Sequence, residues 1–265
     1  MLHNVKELEG ASVEAVDGRL GTVKDLYFDD ERWAIRYVIV ETGTWLKDRR
    51  VLISPNAVRE VAWDDGVMHV SLTQKQVRDS PSIDTDKPVS RQQEAAHHTY
   101  YGFPNYWDGT NLWGLDAFPI PWVGASPDPS LAPHGSRDEA IVRARQARLD
   151  RTLESADSHL RSSNEVIGYE IMASDGPIGS VENFVMDDKS WAIRHIVVDT
   201  RKWLPGKQVL LSPELIDYIS WPEREVCVKS TRHAIETRPE YDTSHVLSPE
   251  REAAPGAHRK RAGYY

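Results

Sequence analysis

Over residues 1–81, apolar and polar positions alternate in short stretches separated by turn-forming residues, the pattern of a chain of β-strands. Val13 and Ala15 lead into Asp17-Gly18, a hairpin signal. Residues 20–28 alternate loosely up to a turn at Asp29-Asp30-Glu31-Arg32. Residues 34–41 follow as the longest strand, rich in β-branched side chains. Val51-Leu52-Ile53 stops at Ser54-Pro55, because proline lacks the donor a ladder needs. Residues 58–63 and 67–72 flank a second hairpin signal, Asp64-Asp65-Gly66, and Thr73 can cap one helical turn reaching Asp79. Six short strands in about 80 residues predict a small closed or nearly closed barrel. On the longest strand, strict alternation puts Ile35, Tyr37 and Ile39 on one face and Ala34, Arg36, Val38 and Val40 on the other. Both faces are mostly apolar, so one should line the interior while the other is covered from outside. The partner barrel, the linker, another subunit or a binding partner could each be that cover.

The whole pattern then recurs. Trp33-Ala34-Ile35-Arg36 returns as Trp191-Ala192-Ile193-Arg194, 158 positions downstream, and neighbouring markers keep that spacing without insertion. Asp17-Gly18 matches Asp175-Gly176, Gly21 matches Gly179, and Asp29-Asp30 matches Asp187-Asp188. Trp45-Leu46, Val51-Leu52, Ser54-Pro55 and Trp63 match Trp203-Leu204, Val209-Leu210, Ser212-Pro213 and Trp221. Residues 17–96 and 175–254 share roughly 28 identities over 80 positions, a duplicated domain rather than an array of short motifs. The division predicted is a first barrel over 1–81, a linker over 82–136, a helix over 137–157, a second barrel over 158–239 and a mobile tail over 240–265. The fold class is all-β: two small β-barrels joined by an aromatic, Gly/Pro-rich linker and one short α-helix.

The linker begins with Tyr100-Tyr101-Gly102-Phe103-Pro104-Asn105-Tyr106-Trp107, and neither strand nor helix period fits it, so it reads as ordered coil or an extended connection. Its rings either cover a barrel wall or form an aromatic docking segment, in which Tyr101 and Trp107 would meet a partner. In 137–157 the cap Ser136, an acidic first turn and a stripe of Val142, Leu149, Leu153 and Ala156 argue for a helix. Arginines 143, 145, 148 and 151 are interrupted by Asp150, Glu154 and Asp157, which describes a solvated face. Residues 240–254 echo 82–96, with Glu252-Ala253-Ala254 against Glu94-Ala95-Ala96.

Composition narrows the chemistry. A net charge of −9 argues against a nucleic-acid partner, which would favour a basic face. The single cysteine, Cys227, excludes an intrachain disulfide and a four-thiolate zinc site. The N-terminus has no apolar signal core and no run approaches the ~20 residues of a membrane span, so the chain reads as soluble and cytoplasmic. No phosphate-cradling loop, nucleophile elbow or His-Glu-x-x-His pair occurs. His97-His98, taken as a surface doublet, makes a poor chelate. The duplicated Asp29-Asp30 and Asp187-Asp188 sit at turns, where aspartate bonds its own backbone; Arg36 and Arg194 can pair with them, or with Glu41 and Asp199. The tryptophans are mainly barrel anchors, and Trp45 and Trp203, on loops, are the best candidates for partner contact. No catalytic, cofactor-binding or metal-binding residue is predicted, and no cofactor.

Laid side by side, the two copies resemble the PRC-barrel family. The resemblance rests on Gly21 or Gly179, the Asp-Asp pair, Trp-Ala-Ile-Arg with its β-branched run and acid, then the stretch from Thr42 to Pro55 or Thr200 to Pro213. It implies a small barrel similar to the cytoplasmic part of the photosynthetic reaction-centre H subunit and to the C-terminal domain of the ribosome maturation factor. It also implies a bacterial assembly module that binds protein and performs no chemistry. The H subunit's membrane helix and the ribosome factor's first domain have no counterpart in the sequence. The expectation is therefore a non-enzymatic scaffold with a protein partner or self-association, homo-oligomers included. The alternative is an accessory protein of photosynthetic electron transfer or stress physiology that binds a small molecule or pigment complex.

Overall fold

The Asp17-Gly18 turn does what its sequence requires. It closes a hairpin between β2 (Ser12–Ala15) and β3 (Gly18–Asp29), with Ala15 opposite Gly18. The computed structural model describes residues 1–81, 89–120, 159–200 and 207–241. After β1 (Leu2–Asn4), β2 and β3 come β4 (Ala34–Glu41), β5 (Arg50–Ile53), β6 (Val58–Ala62), β7 (Val67–Val70), α1 (Gln74–Arg78) and α2 (Arg91–Tyr101). The second repeat supplies β8 (Leu160–Ser162), β9 (Glu170–Ala173), β10 (Gly176–Asp187), β11 (Ile193–Asp199), β12 (Gln208–Leu211), β13 (Ile216–Ser220) and β14 (Glu225–Val228). Thr73 caps α1 as its sequence predicts, accepting from Gln76 N. The expected helix over 137–157 and all of the tail beyond Tyr241 lie outside the described residues.

Two sheets result, ordered β5-β4-β3-β2-β7-β6 and β12-β11-β10-β9-β14-β13. The all-β class holds, but neither sheet closes into a barrel. The ends of the first path, β5 and β6, are joined by the 3-10 turn Pro55–Ala57 instead of a ladder. Pro55 has no N–H, and Ser54 accepts the Asn56 N–H, so the chain turns out of the sheet here. Gly21 and Gly179 mark where the long strands cross their neighbours most closely. A Cβ at either would stand 1.9 Å from Glu41 O or 2.2 Å from Asp199 O.

The two sheets are not independent. Each is completed by the first strand of the other repeat: β1 pairs with β10 (Leu2 opposite Asp187), and β8 pairs with β3 (Leu160 opposite Asp29). Midway between them Ala34 bridges Ala192, with Ile35 N donating to Trp191 O (2.8 Å) and Ile193 N to Trp33 O (2.7 Å). This reciprocity is that of a two-fold interface folded into one chain. Phe28 meets its counterpart Phe184 at 5.3 Å, and buried side chains of both repeats form one continuous core.

The strict alternation expected along 34–41 is broken. Tyr27 pairs with Tyr37 and Phe28 with Ile35, leaving Arg36 as the extra residue of a bulge. Ile35 therefore joins Val38 and Val40 in the main core, while Tyr37 and Ile39 pack in a separate outer cluster with Tyr27, Leu52, Val89 and Leu160. The second repeat has the same bulge at Arg194.

Candidate functional site

The bulge puts Arg36 where a regular strand would not, and the residues around it hold a stretch of chain against the first repeat. Asp29, ending β3, accepts the N–H groups of Glu31 and Arg32 through one oxygen (3.0 Å each) and Arg36 Nη2 through the other (3.1 Å). Arg36 then donates Nη1 to Leu112 O (2.7 Å), its guanidinium lying 3.9 Å from the Tyr106 ring centre and 5.0 Å from that of Trp113. Arg32 donates to the carbonyls of Tyr106, Gly109 and Asn111. Two arginines thus grip the 105–113 loop by its main chain, a mode largely indifferent to the side chains carried there. Trp113 reaches the other repeat, donating Nε1 to Ser190 O (2.8 Å).

Upstream of that loop, α2 covers the outer face of β4. This helix was missed by its sequence pattern, which predicts coil across the linker. His97 and His98 are not a surface doublet on extended chain: they lie on α2 and are buried, together with Arg91, Glu94 and Tyr101. Ser90 caps the helix in a capping box with Gln93, and Gly102 ends it with φ of 72°. His98 Nδ1 faces the Pro104 carbonyl at 2.9 Å, which can only accept, so Nδ1 carries the proton. Nε2 of the neutral ring then accepts from the Tyr37 hydroxyl (2.8 Å), and Tyr37 has no second proton for Glu94 Oε2 at 3.2 Å. A protonated Glu94 closes the chain by donating to Tyr37. Burial agrees, raising Glu94 to about 8 against an opposing pull from Arg91, and pushing His97 down to about 4 and His98 to about 3. Tyr106 donates to the same Glu94 oxygen and receives Arg91 Nη1. Glu94 Oε1 lies 3.1 Å from Arg91 Nη1, and it and His97 Nδ1 are buried without a hydrogen-bond partner among the described residues. The remaining bonds tie α2 to β4 and to the following loop, an arrangement suited to fixing a segment.

At the corresponding place in the second repeat the surroundings differ. Arg36 is 1% exposed, whereas the Arg194 side chain is 49% exposed and 4.0 Å from Asp187. Ser54, Pro55 and Asn56 are buried; Ser212 and Pro213 are half-buried and Glu214 is exposed. The last three border a groove of about 1120 Å³, also lined by Arg194, Tyr218 and Trp221 of the second repeat and by Arg32, Leu112 and Phe118.

The residues singled out in the sequence are scattered around these features. Trp45 is half-buried in the 3-10 turn Gly43–Leu46, packed on the core with Nε1 donating to Leu20 O (2.7 Å). Tyr101 is buried and stacked on Phe103 at 5.3 Å. Trp107 is half-buried under Arg91, 4.6 Å from its ring centre. Trp203 lies outside the described residues. Glu94, Arg91 and the bulged Arg194 were not signalled by any motif; the one available hint was that Arg36 and Arg194 interrupt otherwise apolar strands. No helix among the described residues is long and apolar enough to cross a membrane.

Comparison with known proteins locates the fold. The chain is 34% identical over 111 residues to an uncharacterized protein of Deinococcus radiodurans, an alignment covering 36% of this chain and 40% of the relative. Residues 2–77 match the model of the PRC-barrel domain. That span includes every strand from β1 to β7 and the bulged Arg36, so the first repeat is a PRC-barrel domain.

Proposed function

We propose that the protein is a non-enzymatic scaffold that binds other polypeptides. One observation carries this reading: the first repeat already holds a polypeptide segment, gripping the main chain of 105–113 with Arg32 and Arg36 while buried rings fill the space beneath. A surface that takes hold of backbone carbonyls is a binding surface by construction. The strongest cluster of titratable groups, Glu94 with Tyr37, Tyr106 and His98, is turned inward and spent on fixing α2, which favours a structural over a catalytic use. The uncharacterized relative in Deinococcus radiodurans adds no activity to weigh against this.

The test is co-purification of the full chain from its native source, followed by size-exclusion chromatography and mass spectrometry. A protein retained at near-stoichiometric amount through the column is the expected result. Retention of only a small molecule that is chemically altered on incubation would replace the scaffold reading with an enzymatic one.

A further inference from the structure

The two repeats offer nearly the same floor at corresponding places, and among the described residues only one of them is covered. Ala34, Ile35, Arg36, Ser54 and Pro55 recur as Ala192, Ile193, Arg194, Ser212 and Pro213. On the first repeat the 105–113 loop lies over Arg36 and accepts a hydrogen bond from its Nη1 at Leu112 O. On the second, the same five residue types border the groove, with the Arg194 side chain half exposed. Leu112 and Phe118, from the same loop and its continuation, also line it, so the groove is continuous with a surface that already holds polypeptide. Phe118 and Tyr218, at 54% and 58% exposure, leave large rings in water at its rim. Exposed apolar surface gathered at a groove marks a contact site. Its charges are mixed, Arg32, Arg161, Arg194 and Lys229 against Asp30, Glu31, Glu214 and Asp217, which favours a neutral main chain with rings over a strongly charged ligand.

We propose that this groove docks a loop of another polypeptide, which presents main-chain carbonyls to Arg194 and an aromatic ring to Phe118 and Tyr218. The proposal rests on the scaffold reading and assigns its surface and the chemistry of its partner. Arg32, the second arginine of the first grip, is replaced by Ser190 in the second repeat. Arg32 and Arg161 also line this groove, but Arg32 is committed to the carbonyls of 105–113 and Arg161 to Asp30. Arg194 is thus left to hold a docked loop, which exchanges where the 105–113 loop stays.

A cyclic peptide of residues 103–116, labelled with fluorescein, is the probe, because its sequence fits the shared floor. Titrated with the full-length protein, it should give saturable anisotropy. Arg194→Glu and, separately, Tyr218→Asp should each weaken binding at least tenfold while leaving circular dichroism and the thermal midpoint unchanged. The absence of saturation, or equal binding by wild type and both variants, overturns the proposal. Binding that appears only after limited proteolysis gives the groove to a segment of this chain and also overturns it. So does self-association of the wild type that Arg194→Glu abolishes, since a second copy would then be the occupant. A partner that co-purifies equally with wild type and Arg194→Glu removes the groove but leaves the scaffold reading standing; no partner with either removes both.

Discussion

Arg36 and Arg194 hold the same position in the two repeats and face opposite environments. Replacing Arg36 by Ala strands the buried Asp29 carboxylate and frees Leu112 O, at a cost of about 3–5 kcal/mol. The same change at Arg194, itself half in solvent and 4.0 Å from Asp187, should stay within about 0.5 kcal/mol. Urea denaturation of the two variants measures both, and equal losses would contradict the asymmetry described. The network under α2 gives a pH prediction of a definite sign. Glu94 binds its proton more tightly folded than unfolded, so its contribution is complete below about 4.5 and is lost as pH rises towards about 8. His97 and His98 bind theirs less tightly when folded, so stability falls as pH drops below 6.5. Each proton contributes a limiting slope of about 1.4 kcal/mol per pH unit, and two histidines outweigh one glutamate. The network therefore favours a maximum near pH 6.5. In thermal melts from acid to mildly alkaline pH, Glu94→Gln should flatten the alkaline decline; an unchanged decline would place its origin elsewhere. At this scale the sequence was legible where it repeated a recognisable turn, as at Asp29. It was opaque at Glu94, whose environment is made by residues of β4, α2 and the following loop.

At the scale of elements, β2 to β7 fall close to their predicted positions because each has alternation, β-branched residues and a turn signal that agree. Two features escaped for physical reasons. Helix α2 does have a helical period, but it is carried by Arg91, Glu94, His98 and Tyr101, all with polar groups, so a hydrophobic pattern does not register it. The bulges at Arg36 and Arg194 reverse which face is inside, and nothing in strict alternation anticipates an unpaired residue. The strand exchange was likewise hidden, since Leu2-His3-Asn4 is too short to announce a partner so distant in sequence. It has a direct consequence: deletion of residues 1–4 leaves the Val185–Asp187 end of β10 without β1. Hydrogen exchange there should quicken at least tenfold while Tyr27–Asp29, still paired with β8, remains protected. Equal loss on both sides would mean that the two sheets open as one.

For the molecule as a whole, duplication with exchange makes one core from two sequences that each look self-sufficient. A chain of residues 1–120 alone carries β1 and also the β3 edge that a counterpart of β1 covers. It should associate as a two-fold dimer, each copy lending Leu2–Asn4 to the other, and light scattering would report twice the chain mass. A folded monomer would show that β8 is dispensable to β3. The same arrangement sets a schedule for the nascent chain. Leu2–Asn4 is translated well before its partner Gly176–Asp187. At about 5–20 residues per second, that strand waits roughly 10–35 s for its ladder. Throughout that interval the Phe28 side of the first sheet has no Phe184 to cover it. The protein is thus exposed to wrong pairings during synthesis for as long as it takes to make the half that protects it.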